Sequence, residues 1–271
     1  MLNDITMGQY FPGNSLLHRL DPRVKLLVTF VYIIAVFIPQ NWTGLAVAVA
    51  FLALCVALSR LPVRLITKTF KPIIPLILLT SILNVFYLDS GNVWWDAGFF
   101  KLTDHGVYTA IFIAIRILCL IAGSSLLTYT TTPTALTDGL ERLLNPLRAL
   151  HVPVHELAMM MTIALRFIPT LIEETDKIMA AQKARGADME SGGMMQRIRA
   201  FLPVLIPLFV SSFRRAYDLA TAMECRCYRG GEGRTRMNRL QMHGRDVATL
   251  LFTAVFVAAL VALNIVLPST L

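Results

Sequence analysis

The sequence predicts an all-α polytopic membrane protein with about five transmembrane helices and a separate region of long amphipathic helices. Of its 271 residues, 56% are hydrophobic and only 15% are charged, whereas an ordinary soluble domain has about 25% charged residues. The apolar residues are also gathered into runs, and about 20 consecutive apolar residues cross a bilayer as a helix. Composition and clustering together therefore indicate a membrane protein.

Five apolar runs are candidates for the spans. They cover residues 24–38, 44–59, 73–88, 107–127 and 247–267. The last two have the full length of about 20 residues, whereas the first two reach a usable length only with their flanks. We therefore expect an N-terminal membrane domain over residues 1–129 with four spans, and a C-terminal transmembrane helix within 246–271.

The basic residues predict the topology. Loop 39–42, between the first two runs, has no charge, whereas the chain is basic at or before the start of the first run and again after the second run. The basic residues there are His18, Arg19, Arg23, Lys25, Arg60, Arg64, Lys68 and Lys71. By the positive-inside rule the N-terminus is cytoplasmic, and five spans then place the C-terminus outside. The net charge of +8 is thus a topology signal, and we expect no nucleic-acid partner.

One charged residue, Arg116, lies inside the fourth run. A charge within a span is costly and usually faces protein or water. The other runs contain no acidic partner, so we expect Arg116 to contact backbone carbonyls or the cytoplasmic segment. The alternative is a secondary transporter with its own substrate site at Arg116, which predicts internal repeats that the sequence lacks.

Residues 130–245 differ from the runs around them. They contain 16 Lys or Arg and 11 Asp or Glu, so we expect this region to stay in the cytoplasm. Apolar residues recur at helical spacing over 155–184 and 196–226, which predicts two long amphipathic helices. Their apolar stripes and many methionines favour a surface that contacts partners over an ordinary helix-to-helix core.

Two similar arginine motifs end these helices. Ala184-Arg185-Gly186 ends the first helical pattern, and Cys225-Arg226-Cys227 ends the second, shortly before Gly230 and Gly231. An arginine at a helix end can donate forked hydrogen bonds to the carboxylates or helix-end carbonyls of a partner. The alternative is that each arginine caps its own helix. Two such sites in one polytopic protein favour docking of the arginines in a partner over capping of their own helices.

The sequence lacks the motifs of common catalytic sites. It contains no G-x-x-x-x-G-K-[ST] loop for ATP, no H-E-x-x-H motif and no G-x-S-x-G motif. Its four cysteines, Cys55, Cys119, Cys225 and Cys227, have no spacing that completes a zinc site, and we expect unpaired thiols. We therefore expect a non-enzymatic protein without a cofactor or metal of its own. A membrane anchor for cytoplasmic proteins remains an alternative.

The motifs resemble those of one family, the transmembrane T component (EcfT) of energy-coupling factor (ECF) transporters, which is related to the cobalt-transport protein CbiQ. The matching residues are 184–186, 222–235 and 20–25. The resemblance implies an ABC-type importer in the bacterial cell membrane. In it, the T component holds two homologous cytoplasmic ATPases (EcfA and EcfA′ type), which bind ATP and Mg, and a membrane S component, which binds a vitamin or metal ion.

The resemblance also implies roles for both motifs. Residues 130–245 would be a cytoplasmic coupling domain, with Arg185 docked in one ATPase and Arg226 in the other. Ala184 and Gly186 would allow close approach of the ATPase. The second motif departs from the family pattern, because Cys225 and Cys227 replace small flanking residues.

Overall fold

A computed structural model describes residues 9–87, 93–96, 101–187, 193–230 and 240–267. The described chain is almost entirely helical, which confirms the all-α prediction. The helices are α1 (Pro22–Phe37), α2 (Trp42–Ser59), α3 (Val63–Phe70), α4 (Ile74–Tyr87), α5 (Asp104–Thr130), α6 (Pro133–Leu144), α7 (Val154–Ala184), α8 (Met194–Cys225) and α9 (Gly244–Val266). A 3₁₀ helix covers Asn145–Leu150, and the short strands β1 (Val93–Asp96) and β2 (Lys101–Thr103) pair antiparallel.

Length and composition confirm a polytopic membrane protein. Four described helices are long and apolar enough to cross a membrane: α2, α5 from His105, α7 and α9. The pair α3 and α4, which is bent by 55° at the break between the two helices, counts as a fifth if it forms one span. The first predicted span, α1, has 16 residues, about 24 Å of helix against a hydrocarbon core of about 30 Å.

The candidate membrane spans include α7, a helix that we expected in the cytoplasm. Its first half carries few charges, so the helix is apolar and long enough to cross a membrane. Its second half is charged, with Glu173, Glu174, Asp176 and Lys177. The cytoplasmic assignment rests on that second half.

The chain divides into two compact units. The larger unit comprises Gly8–Leu140 and Leu240–Leu271, and the described part of the smaller unit lies within Glu141–Arg239. The larger unit therefore contains α1 to α5 and α9, and the smaller one contains α7 and α8.

The core of the larger unit lies where α1, α2, α5 and α9 meet. Its rings are stacked, with centroid distances of 5.8 Å between Tyr32 and Phe51 and 4.0 Å between Phe51 and Phe256. The Tyr32 hydroxyl donates a hydrogen bond to the carbonyl of Cys119 at 3.2 Å. A Cβ at Gly123 would lie 2.2 Å from the Tyr32 ring, so only glycine lets α5 approach α1 this closely.

A buried carboxylate joins the start of α9 to the start of α1. Asp246 is 1% exposed. Its Oδ1 accepts the backbone N–H of Asp21, and its Oδ2 accepts the backbone N–H of His243, both at 2.8 Å. Asp21 in turn accepts the N–H of Arg23 at 2.9 Å and so caps the start of α1. One carboxylate thereby satisfies backbone donors of two helix starts that are far apart in sequence.

A buried ammonium lies at the same end of the unit. Lys25 Nζ donates to the carbonyl of His18 at 3.1 Å and to the carbonyl of Thr130 at 2.9 Å. These bonds join α1, the turn before it and the end of α5. A buried charge is tolerated when it is hydrogen-bonded in this way.

The intramembrane arginine also contacts backbone. Arg116 Nη2 donates to the carbonyl of Pro39, in the loop before α2. Its guanidinium lies over the ring of Phe112, 4.7 Å from the centroid, and Phe112 makes an edge contact with Trp42 at 5.4 Å. The expected contact with a backbone carbonyl is confirmed, so Arg116 links α5 to the start of α2.

Candidate functional site

The two long helices of the smaller unit, α7 and α8, form an antiparallel pair. Glu174 on α7 accepts hydrogen bonds at 2.5 Å from Ser211 Oγ and from Arg215 Nη2, both on α8. Gln182 on α7 donates to the carbonyl of Pro203 on α8 at 3.2 Å. Residue numbers rise along α7 as they fall along α8, so the pair is antiparallel. The sequence alone did not indicate these partners, because 37 residues separate Glu174 from Ser211.

The first helix end is closed by backbone hydrogen bonds alone. After α7 ends at Ala184, the N–H of Gly186 donates to Lys183 O and the N–H of Ala187 donates to Gln182 O, both at 3.0 Å. This pair of bonds is a Schellman motif. It needs a left-handed residue at the third of the three motif positions, and Gly186 has φ +84° there.

The second helix end has the same geometry with a different residue. After α8 ends at Cys225, the N–H of Cys227 donates to Glu224 O at 2.8 Å and the N–H of Tyr228 donates to Met223 O at 3.0 Å. Cys227 has φ +56°. A residue with a Cβ costs roughly 1–2 kcal/mol in this conformation. The backbone of the Ala-Arg-Gly end is thus reproduced without its glycine.

Both arginines occupy the position directly after the last helical residue, and their side chains are exposed. The backbone N–H groups of the next residues already bond the last helical carbonyls, so neither guanidinium is needed as a cap. Within the described ranges, neither guanidinium has a hydrogen-bond or ion-pair partner. This geometry disfavours the alternative that Arg185 and Arg226 cap their own helices.

The flanking residues leave each arginine accessible. Ala184, Gly186, Cys225 and Cys227 are all exposed, and a Cβ added at Gly186 would meet nothing within 4 Å. Among the residues with described side chains, no group of three His, Cys, Asp or Glu is placed to hold a metal ion. What distinguishes the second end is that its left-handed position is occupied by Cys227 and not by a glycine.

The two arginine motifs are not brought together. Pro203 lies opposite Gln182, close to the Arg185 end of the pair. The length of α8 from Pro203 to Cys225 corresponds to about 33 Å at about 1.5 Å per residue. The antiparallel pair therefore carries one arginine at each of two distant ends.

One face of α8 is apolar and exposed. The exposed residues Phe201, Leu205, Phe209, Phe213 and Tyr217 follow one another at intervals of four, the spacing of a single helix face. Tyr217 is 75% exposed and Phe209 is 66% exposed. A contiguous apolar face of this kind is typical of interaction surfaces.

Comparison with known proteins decides the family. Residues 13–237 match the family model CbiQ, described as cobalt transport protein. The chain belongs to the CbiQ family. The resemblance to CbiQ and EcfT proteins that the arginine motifs indicated is thereby confirmed.

Curated relatives of this CbiQ-family chain are similar over nearly its whole length. It is 52% identical over 266 residues to the energy-coupling factor transporter transmembrane protein EcfT of Ruminiclostridium cellulolyticum, covering 98% of this chain and 99% of the relative. For the protein of the same name from Bacillus subtilis (strain 168), the identity is 48% over 260 residues, covering 96% and 98%. This family member is therefore a transmembrane component of an energy-coupling factor transporter.

Proposed function

We propose that this chain is the energy-coupling T subunit of an ECF-type ABC importer. It links ATP hydrolysis by two cytoplasmic ATPases to the uptake of a vitamin or metal ion that a separate membrane S component binds. The observation that carries the proposal is the pair of exposed arginines on equivalent helix ends, neither of which has a side-chain partner among the described residues. Two equivalent ends suit two homologous ATPases.

Each arginine docks in one ATPase through its guanidinium. This group presents five donors in a planar fork that matches carboxylates and helix-end carbonyls. The helix carbonyls behind Arg185 and Arg226 are bonded by backbone N–H groups, and neither guanidinium has a partner in the described part of the chain, so the guanidinium donors are available to the ATPase. The small residues Ala184 and Gly186 admit the ATPase surface closely, whereas Cys225 and Cys227 present a bulkier rim.

Movement passes between the two docked ends through the paired helices. Hydrogen bonds from Ser211 and Arg215 to Glu174 hold α8 against α7, so displacement of one end moves the other. ATP and Mg bind in the ATPases, whose closure shifts both arginines. The exposed apolar face of α8 (Phe201, Leu205, Phe209, Phe213 and Tyr217) supports contact with the S component, which tilts to deliver its substrate.

The proposed topology places residues 130–245 in the cytoplasm, between a membrane domain of residues 1–129 and a last span within 246–271. The N-terminus is then cytoplasmic and the C-terminus extracellular. The basic segments before α1 and around α3 support this orientation. We keep α7 in the coupling domain because its charged second half pairs with α8.

Co-purification tests the proposal. The chain is co-expressed with candidate ATPases and purified through a tag of its own, as wild type and as the Arg185→Ala, Arg226→Ala double variant. The matched control is Arg166→Ala with Arg214→Ala, which removes one exposed arginine from each of the same helices. Loss of a desolvated docking charge costs about 2–5 kcal/mol per site.

We expect the ATPases to co-purify with wild type and with the control but not with the double variant. Each single variant should bind the ATPase that docks at the substituted arginine more weakly than wild type does, and should bind the other ATPase as before. Wild-type recovery of both ATPases with the double variant would contradict the proposed docking role. Equal loss in the control variant would contradict it too, because the effect would then follow from net charge.

A further inference from the structure

The larger unit contains an apolar cavity that the coupling mechanism does not use. Its volume is about 420 Å³, within the range of about 300–1,000 Å³ that small-molecule sites have. Residues from α1, α2, α5 and α9 line it, together with the turn before α1. Nearly all of the lining is apolar, including Val28, Leu52, Leu126 and Phe252.

The cavity is bordered by exposed apolar side chains on two candidate membrane spans. Leu54 and Leu58 on α2 are 43% and 41% exposed, and Phe252 on α9 is 48% exposed. Both helices are long and apolar enough to span a membrane, and in a span an exposed apolar side chain is compatible with hydrocarbon. A flexible hydrocarbon chain can enter such a cavity from the bilayer and replace empty space with dispersion contacts.

Two basic side chains, Lys25 and Arg245, also line the cavity, and they differ in what they contact. The Lys25 ammonium donates to the carbonyls of His18 and Thr130. The Arg245 side chain is exposed in the first turn of α9 and has no partner among the residues that the structure describes. The carboxylate of the adjacent Asp246 accepts two backbone N–H groups instead. Arg245 is therefore free to bind an anion.

We propose that this cavity holds one acyl chain of an anionic phospholipid whose phosphate is bound by Arg245. The apolar lining takes the chain, and the planar guanidinium takes the phosphate in a forked arrangement. The cation at the rim argues for a charged amphiphile over an uncharged apolar segment of a partner protein. This site is independent of the ATPases and of the proposed coupling role.

Native mass spectrometry of the full chain in detergent tests the lipid. Phosphatidylglycerol and phosphatidylcholine with the same acyl chains are added separately, and glycerol phosphate is the competitor without an acyl chain. We expect one retained phosphatidylglycerol, with phosphatidylcholine about fivefold weaker because one basic side chain near the headgroup contributes about that factor. Glycerol phosphate should not displace the lipid. Displacement by it, or equal retention of the two lipids, would overturn the proposal.

Matched variants test the cavity itself. Ala248 lines the cavity and Ala254, on the same helix, does not. Ala248→Phe fills the space and should weaken retention of phosphatidylglycerol about tenfold or more, the factor that corresponds to the usual cost of overpacking, while Ala254→Phe should leave it unchanged. Equal retention in both variants would overturn the proposal. So would unchanged lipid retention together with loss of a protein partner from Ala248→Phe, since the occupant would then be that partner.

The headgroup contact has its own pair of variants, which leave the core intact. Arg245→Gln should abolish the preference for phosphatidylglycerol over phosphatidylcholine, and Arg245→Lys should restore part of it. Arg64→Gln, at another exposed arginine that lies outside the cavity, should keep the full preference. The same loss in Arg64→Gln would mean general attraction to anionic lipid and would overturn the assignment of Arg245.

Discussion

Gly186 and Cys227 hold the same backbone position one residue after Arg185 and Arg226, with φ of +84° and +56°. In each case the residue's N–H bonds a carbonyl three residues back, which closes the helix. Glycine adopts this conformation without strain, whereas cysteine does not. The chain therefore maintains the second helix end at an energetic cost, as expected if its geometry serves a function.

Replacing the strained residue with glycine should stabilise the second helix end. Cys227→Gly removes the Cβ at a left-handed position and so relieves strain in the folded state. The greater entropy of glycine in the unfolded state offsets part of this stabilisation. The free energy of unfolding should therefore rise by between zero and about 1 kcal/mol. Hydrogen exchange at the Tyr228 amide, which donates to Met223 O, should slow. The proposed docking of Arg226 should persist, because the backbone conformation around it does not change.

The matched control for this prediction is Cys225→Gly, in the last helical residue of α8. There glycine costs up to about 1 kcal/mol, so exchange at the same amide should speed up. Slower exchange in both variants would show that removal of a thiol, and not relief of the backbone, is responsible.

The buried carboxylate of Asp246 should stabilise the larger unit. In Asp246→Asn one carboxylate oxygen becomes an NH₂ group, which faces a backbone donor of Asp21 or His243. Loss of charge-assisted hydrogen bonds at a site 1% exposed should lower the free energy of unfolding by about 2–3 kcal/mol. Thermal unfolding in detergent measures this change.

Asp218→Asn serves as the control, since Asp218 is exposed on α8. Its unfolding temperature should stay close to that of wild type. A similar small effect for both aspartates would mean that the link between α1 and α9 does not depend on the buried carboxylate.

Arg116 should stabilise the fold and should not take part in substrate recognition. Arg116→Met loses the bond to the carbonyl of Pro39 and the contact over the Phe112 ring, so we expect about 1–3 kcal/mol of destabilisation. Arg116→Lys should recover part of it. Substrate affinity of the assembled transporter should not change. A normal unfolding temperature with lost substrate binding would support the secondary-transporter alternative.

Local signals in the sequence mark several helix ends. Asp21 and Pro22 mark the start of α1, Pro153 precedes α7, and Gly186 follows its end. Each of these residues acts on its own few neighbours through a cap, a missing N–H or a left-handed backbone. The Ala-Arg-Gly end could therefore be placed from the sequence.

The remaining features depend on contacts that the sequence does not encode locally. Asp246 and Asp21 are 225 positions apart, and Arg116 and Pro39 are 77 apart. Cysteine has no preference for a left-handed backbone, so the conformation of Cys227 carried no signal. Nor do length and hydropathy alone separate α7 from a membrane span, because they ignore its pairing with α8.

Substrate uptake by reconstituted transporter tests the central claim most directly. Proteoliposomes containing this chain, its ATPases and an S component are given ATP, and labelled substrate inside the vesicles is counted together with phosphate release. We predict that Arg185→Ala with Arg226→Ala abolishes uptake, while the Arg166→Ala, Arg214→Ala control transports like wild type. Uptake at the wild-type rate by the first variant would contradict the claim that these two arginines couple ATP hydrolysis to transport.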